Sequence, residues 1–194
     1  MKKVTNLGIL IKMNDIQLKI KQKIIEVSNL GLTDKATFHS YEELYPYLLE
    51  ESIGKKLNIL EVGVAKGGGL IILSQLFPES NIYGVDRSYK ELELQEEYRN
   101  LKMLPESDQT NPNLVNQLPN LDLVIEDASH DYYKSMETFN IIKSKLNENA
   151  IYIIEDIFPE YRSFYDNDER FKIYDLTHIK NRSDDVAAVY IHKK

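Results

Sequence analysis

Apolar residues in the first fifty positions recur at loosely helical spacing. Ile16, Leu18, Ile20, Ile24, Ile25 and Val27 fall within Asp15–Asn29, and Asn29-Leu30-Gly31 supplies a stop. Ser40, with Glu43 three residues on, opens a second helix over Tyr41–Glu51 in a capping-box pattern. From residue 58 the rhythm changes to short apolar runs. Asn58–Val62, Asn81–Val85, Leu101–Leu104, Leu121–Glu126 and Ala150–Ile154 read as strands. Leu70–Phe77, the charged stretch Tyr89–Asn100 and a stretch after Glu126 running to about Leu146 read as helices. Phe171–Leu176 and Val186–His192 are β-rich with no long helix between them, which predicts an antiparallel hairpin. Alternating strands and helices predict an α/β fold: a mostly parallel seven-stranded sheet covered on both faces, ending in that hairpin.

A chain of 194 residues with 42% hydrophobic and 28% charged positions suits one soluble domain. We read residues 1–52 as a helical cap segment and 53–194 as the α/β core. The net charge of -7 argues against a broad phosphate-binding surface, so nucleic acid is not expected as a partner. Cysteine is absent, which removes disulfides, thiolate chemistry and cysteine-bound zinc. The apolar run Leu7–Ile11 is too short for a secretion signal or a membrane span, so a cytoplasmic protein without membrane insertion is expected.

Candidate chemistry gathers where the predicted strands end. Asn58–Val62 runs into Gly63-Val64-Ala65-Lys66-Gly67-Gly68-Gly69. Ligands of open α/β sheets bind at such carboxyl ends, and glycines let the backbone turn sharply and approach them. Asp86 ends the next strand, where a carboxylate can accept both ribose hydroxyls of an adenosine. A dinucleotide fingerprint needs G-x-G-x-x-G, and Ala65 occupies its second glycine. The pattern present is E-x-G-x-x-x-G, from Glu61 through Gly63 to Gly67. Ser107-Asp108-Gln109, a polar stretch, follows the third strand.

Two further segments carry the reaction chemistry. Ile125-Glu126-Asp127-Ala128-Ser129-His130-Asp131-Tyr132 and Ile153-Ile154-Glu155-Asp156-Ile157 each end an apolar strand. In a doubly wound sheet both ends face the nucleoside crevice, so Asp127, Glu155 and Asp156 converge. Three carboxylates together are costly unless a cation neutralises them, and a hard divalent ion such as Mg2+ does so. His130, with a reference pKa of about 6.5, suits a general base near neutral pH.

The E-x-G-x-x-x-G pattern resembles the first motif of class I S-adenosylmethionine (SAM)-dependent methyltransferases, whose donor carries no phosphate. IEDASHDYY followed by IYIIEDI is similar to the metal-dependent sugar O-methyltransferases of macrolide and related antibiotic pathways. That resemblance implies a Rossmann-like methyltransferase fold, SAM and Mg2+ as cofactors, and cofactor contacts from Glu61, Gly63, Gly67, Asp86, Asp108, Gln109 and Asp127. It implies Asp127, Glu155 and Asp156 as metal ligands and His130 as the base. The expected acceptor is a sugar, nucleotide sugar or glycan hydroxyl. Enzymes of this kind often assemble, so a homo-oligomer is among the expectations. Catechol-type O-methyltransferases share the layout but carry lysine where this chain has His130. A non-catalytic SAM-binding scaffold is the remaining alternative. One departure from the sugar group is Ala128, where glycine is commoner.

Gly31-Leu32-Thr33-Asp34-Lys35, with His39, Tyr41 and Tyr45, is similar to a T-D-K…H-x-Y…Y stretch of the same family. It offers hydroxyls, an imidazole and an ion pair in a loop suited to closing over cofactor or substrate. His39, Tyr41, Tyr132 and Arg182 are the candidate substrate contacts. Tyr133, Tyr161 and Arg162 lie in or near loops expected at the mouth of the site.

Overall fold

The computed structural model describes residues 5–6, 13–93 and 98–193. The run Leu7–Ile11 and residues 94–97 of the helix expected over Tyr89–Asn100 lie outside the described residues. The described flanks of that stretch are turn and coil, not helix.

A two-residue strand, β1 (Thr5–Asn6), precedes the first helix, α1 (Asp15–Asn29). The start of α1 is a capping box. The Asn14 side chain accepts the Gln17 N–H at 2.9 Å, and the Gln17 side chain accepts the Asn14 N–H at 3.0 Å. Ile20, Ile24 and Val27 form its buried stripe, at the spacing of one helical face. Helix α2 (Tyr41–Leu49) continues into a 3-10 turn at Glu50–Ser52. The capping box expected at Ser40 is absent: the Ser40 hydroxyl makes no cap hydrogen bond, and tertiary partners take the other half. The Ser40 N–H goes to the buried Asp185 carboxylate at 3.1 Å, and Glu43 reaches across to Lys21 at 2.5 Å.

The core follows as β2 (Asn58–Val62), α3 (Gly68–Leu76), β3 (Asn81–Val85), β4 (Leu101–Met103), β5 (Leu121–Glu126) and α4 (Tyr132–Ile142). Then come β6 (Leu146–Ile154), α5 (Pro159–Asp166), β7 (Lys172–Asp175), α6 (Thr177–Lys180) and β8 (Val186–Ile191). Helix α5 was not expected from the sequence. Pro159 in its first turn starts it, and Arg162 reaches Asp166 one turn on.

The sheet order is β1-β7-β8-β6-β5-β2-β3-β4. The seven expected strands are all present, and β1 adds an eighth at the edge beside β7. β8 runs antiparallel to both β6 and β7, and the other pairs are parallel. From β2 the chain proceeds outward to β3 and β4, then returns to lay β5 on the opposite side. The switch in strand order therefore lies between β2 and β5, where such sheets open a ligand crevice at the carboxyl ends.

Strand alternation divides the interior into two cores. Ile59, Ile82, Leu123, Ile125 and Ile153 pack with α1, α2 and α3. Leu60, Val62, Val124, Tyr152 and Ile154 pack on the other face with Phe139 and Ile142 of α4. Residues of α1 and α2 thus share one core with the sheet. Among the described residues no helix is long and apolar enough to cross a membrane.

Candidate active site

β2 ends at Val62, and the chain turns at Gly63 with φ +85°. A Cβ there would lie 2.6 Å from the Asp127 carbonyl carbon and 2.7 Å from the Ala128 Cα. The loop after β5 therefore demands glycine at this place. At Gly68 and Gly69 the missing Cβ makes room for the Leu32 backbone and the Glu61 carboxylate. These glycines let protein approach protein, where the sequence suggested clearance for a ligand. Gly67, φ +91°, caps the start of α3.

Asp86, just beyond β3, shapes the same loop. Its Oδ2 accepts the N–H groups of Val64 at 2.9 Å and Ala65 at 3.2 Å. The Ser107 N–H binds the Asp86 carbonyl at 2.9 Å, which brings Ser107-Asp108 to this end of the sheet. Asp108 is exposed, and hydrogen bonds from the Thr110 N–H and hydroxyl hold its carboxyl below the usual range. Gln109, expected to face the cofactor, turns inward instead. Its amide donates to Glu126 Oε1 at 3.0 Å and Thr138 Oγ1 at 3.1 Å, because the buried Glu126 needs a donor on that face.

The same alternation sorts the acids. Glu61, Asp127 and Glu155 share the face of Ile59, Ile125 and Ile153, beneath the N-terminal segment. Lys35 enters there, 2% exposed, with Nζ 2.7 Å from Asp127 Oδ2 and bound also to Glu155 Oε2. The Tyr45 hydroxyl donates to Glu155 Oε1. The Tyr41 hydroxyl donates to Asp156 Oδ1 at 2.8 Å and accepts the Asp156 N–H at 2.8 Å. His39 Nδ1 lies 3.1 Å from the same Oδ1. This corrects three expectations. Lys35 pairs with the strand ends, not within its own loop. His39 and Tyr41, read from the sequence as substrate contacts, are 3% and 0% exposed and meet Asp156 instead.

Asp127, His130 and Asp156 each offer a ligand atom, all within 4.8 Å of one another. Glu155 adjoins them, with its oxygens engaged by Lys35 and Tyr45. His130 has φ +56° and Asp156 φ +53°, and Ala65 in the glycine loop has φ +43°. Such backbone costs of order 1–3 kcal/mol per residue and persists where the surroundings impose it, most often at working sites. Among the described residues the two other non-glycine cases are Asn149 and Asn181; Asn, Asp and His all tolerate this region better than most residues, which leaves Ala65 as the costliest position.

The electrostatics describe a centre short of positive charge. Burial, with Asp127 and Glu155 beside it, pushes Asp156 up to about 9. Burial pushes Glu61 up to about 8 despite Lys35. Burial would raise Asp127 too, but the charge and hydrogen bond of Lys35 outweigh it and hold Asp127 below its ordinary value. Lys35 stays charged, since Asp127, Glu155 and Glu61 together overcome its desolvation. A divalent cation with oxygen ligands relieves such a cluster, so the residues present fit one.

Tyr132 begins α4 two residues beyond His130 and stacks on Phe164 of α5 at 4.8 Å. The Tyr161 hydroxyl donates to Asp131 at 3.0 Å, tying α5 to the His130 loop, and the Phe158 ring lies 5.7 Å from the His130 ring. Tyr133, 65% exposed, extends this aromatic patch outward. Arg162 pairs with Asp166 and Asp175. Arg182 is apart from this patch: it pairs with Asp184 at 3.1 Å and covers the Phe38 ring at 3.5 Å. Lys35 and Tyr45 are the supports whose role the sequence did not reveal. The signal available was a lysine and two tyrosines in the T-D-K stretch, with no marker of the strand ends they would meet.

No protein-family model matches the chain. It is 25% identical over 156 residues to the 8-demethyl-8-alpha-L-rhamnosyl tetracenomycin-C 2'-O-methyltransferase of Streptomyces olivaceus, a match covering 73% of this chain and 40% of that protein. The chain thus spans well under half the length of this curated relative. Among solved structures it resembles the MycE methyltransferase of the mycinamycin biosynthetic pathway, in complex with Mg, SAH and mycinamycin VI. That match has a TM-score of 0.61 and 23% identity over 69% of this chain and 39% of the other. An O-methyltransferase from Bacillus cereus in complex with SAH superposes with a TM-score of 0.61 at 13% identity, covering 95% of this chain and 94% of that one. The chain thus resembles class I SAM-dependent O-methyltransferases in sequence and in the order of its sheet, and it has their Rossmann-like fold.

Proposed function

We propose that the chain transfers a methyl group from SAM to a hydroxyl of a sugar or glycoside, with a divalent metal ion orienting the acceptor and His130 as the base. The observation that carries this is the meeting of Asp127, His130 and Asp156 just beyond the carboxyl ends of β5 and β6, with His130 and Asp156 in left-handed backbone. One named relative is a rhamnosyl tetracenomycin-C 2'-O-methyltransferase and another was crystallised with Mg, SAH and mycinamycin VI, which supports the same reading.

The donor fits the crevice formed by Gly63–Gly69, Asp86 and Asp108. Asp86 orders the glycine loop through two backbone N–H groups, and its half-buried carboxylate is our candidate partner for the ribose hydroxyls. Asp127 and Asp156, with Glu155 beside them, would hold Mg2+, which supplies charge neutralisation and a lowered acceptor pKa when bound. Mg2+ prefers oxygen ligands, which leaves the His130 imidazole for proton transfer. The acceptor oxygen gives its proton to His130 and bonds to the methyl carbon as the carbon–sulfur bond breaks, leaving S-adenosylhomocysteine. The residues contribute mainly position and charge. Tyr132 and Phe164 stack on each other, and the exposed rings of Phe164 and Tyr133 leave surface against which a sugar can pack.

The test is a panel of glycosides and catechols assayed with methyl-labelled SAM, with Mg2+ and with EDTA. Expected are label transfer to glycosides, loss with EDTA, and a kcat about 10²–10⁴-fold lower in His130→Gln. Transfer to catechols alone would favour the catechol-type alternative. Binding of SAM with no transfer to any acceptor would favour a scaffold.

A further inference from the structure

A buried ammonium among the proposed metal carboxylates demands a reason. Lys35 is 2% exposed, contacts Asp127 and Glu155, and lies 5.9 Å from the centroid of the Tyr41 ring. Strand alternation brings Asp127 and Glu155 to one face together with Glu61, and Asp156 adjoins them at the end of β6. Four carboxylates thus share a small volume, with Lys35 the full cation in contact with two of them. His39, near Asp156, is charged only when protonated.

We infer that Lys35 is a built-in counter-charge, which holds the acidic centre together when no divalent ion is bound and moderates how tightly such an ion is held. This rests on the metal reading above. An ammonium and a divalent ion placed among the same carboxylates repel each other. Lysine at this position therefore stabilises the metal-free chain at the expense of cation affinity. The sign of the effect separates this role from mere positioning. If Lys35 only set the carboxylate geometry, its loss would weaken cation binding. As a counter-charge, its loss makes the centre one unit more negative and strengthens binding.

The experiment compares the native chain with Lys35→Met and with Lys35→Met/Glu155→Gln, in which the lost positive charge is matched by a lost negative one. Melting temperature is read in EDTA and in Mg2+, and affinity is read from the electron paramagnetic resonance of free Mn2+. In EDTA, Lys35→Met should melt about 10 °C lower, because breaking a buried ion pair leaves unpaired charge. Mg2+ should raise its melting temperature more than it raises that of the native chain, and Mn2+ should bind about tenfold more tightly. The double variant should recover much of the loss in EDTA. If Lys35→Met folds only with Mg2+, or only the double variant folds, the inference is supported. Weaker Mn2+ binding in Lys35→Met, or failure of both variants to fold under all conditions, overturns it. If the native chain binds no Mn2+, the metal reading fails, and comparing the two variants in EDTA still decides whether charge balance is Lys35's role.

Discussion

Replacing Gly63 by alanine isolates the contact that joins the glycine loop to the Asp127 loop. Two costs arise. An L-residue at φ +85° loses about 1–2 kcal/mol relative to glycine. The new Cβ would also lie 2.6 Å from the Asp127 carbonyl carbon and 2.7 Å from the Ala128 Cα. Both obstacles are backbone and cannot rotate away, so the β5 loop must shift, at an overpacking cost of about 1–3 kcal/mol. The sum is about 2–5 kcal/mol, and at about 2–4 °C per kcal/mol for a chain of this size the melting temperature should fall by about 10 °C. Gly54 is the control. Its φ is +81°, and a Cβ there meets nothing within 4 Å, so Gly54→Ala carries only the backbone cost and should lose about 2–8 °C. Thermal unfolding of the two variants side by side, in EDTA and in Mg2+, is the assay. Gly63→Ala should also lose most of its Mg2+-induced stabilisation, since the displaced loop carries Asp127, while Gly54→Ala keeps it. Equal losses in the two variants, with the Mg2+ response intact in both, would refute the reasoning.

Asp156 and Glu61 have native values of about 9 and about 8, above the unfolded carboxylate range near 4, so the native chain binds more protons across that interval. Their favourable contribution is complete below about pH 4 and is lost as pH rises through 8 to 9, at up to about 1.4 kcal/mol per pH unit per group. Melting temperature in EDTA should therefore fall from pH 5.5 to 8.5, and Mg2+ should flatten the decline. A curve that rises with pH contradicts this. Asn14→Ala removes the cap of α1 and should cost about 1 kcal/mol, read from urea unfolding, with no change in cation binding. Phe139→Ala opens a cavity beside Tyr152, Phe171 and Tyr190 and should cost about 3–5 kcal/mol. A loss below 1 kcal/mol would show that α4 does not pack there.

The layered fold was legible because strand runs such as Asn58–Val62 and Leu121–Glu126 carry apolar residues on both faces, as strands covered on both sides do. Local signals failed where tertiary partners outbid them. Ser40 and Glu43 have the letters of a capping box, yet Asp185 and Lys21 claim them. Gln109 looked like a polar loop residue until the buried Glu126 drew its amide inward. At the site, the ends of β5 and β6 were readable because carboxylates directly after apolar strands have few other places to go. Lys35 was not. Its partners lie 92 and 120 residues away, and nothing in its own neighbourhood distinguishes a buried counter-charge from a surface lysine.

A crystal structure of the chain grown with S-adenosylhomocysteine and Mn2+, with the metal located by anomalous scattering, probes the proposed centre directly. A manganese peak between Asp127 and Asp156, within reach of His130 and beside a nucleoside lying over Gly63–Gly69, is the predicted result. A bound nucleoside with manganese elsewhere or lacking, and His130 turned from the crevice, would contradict the catalytic proposal and leave the fold alone.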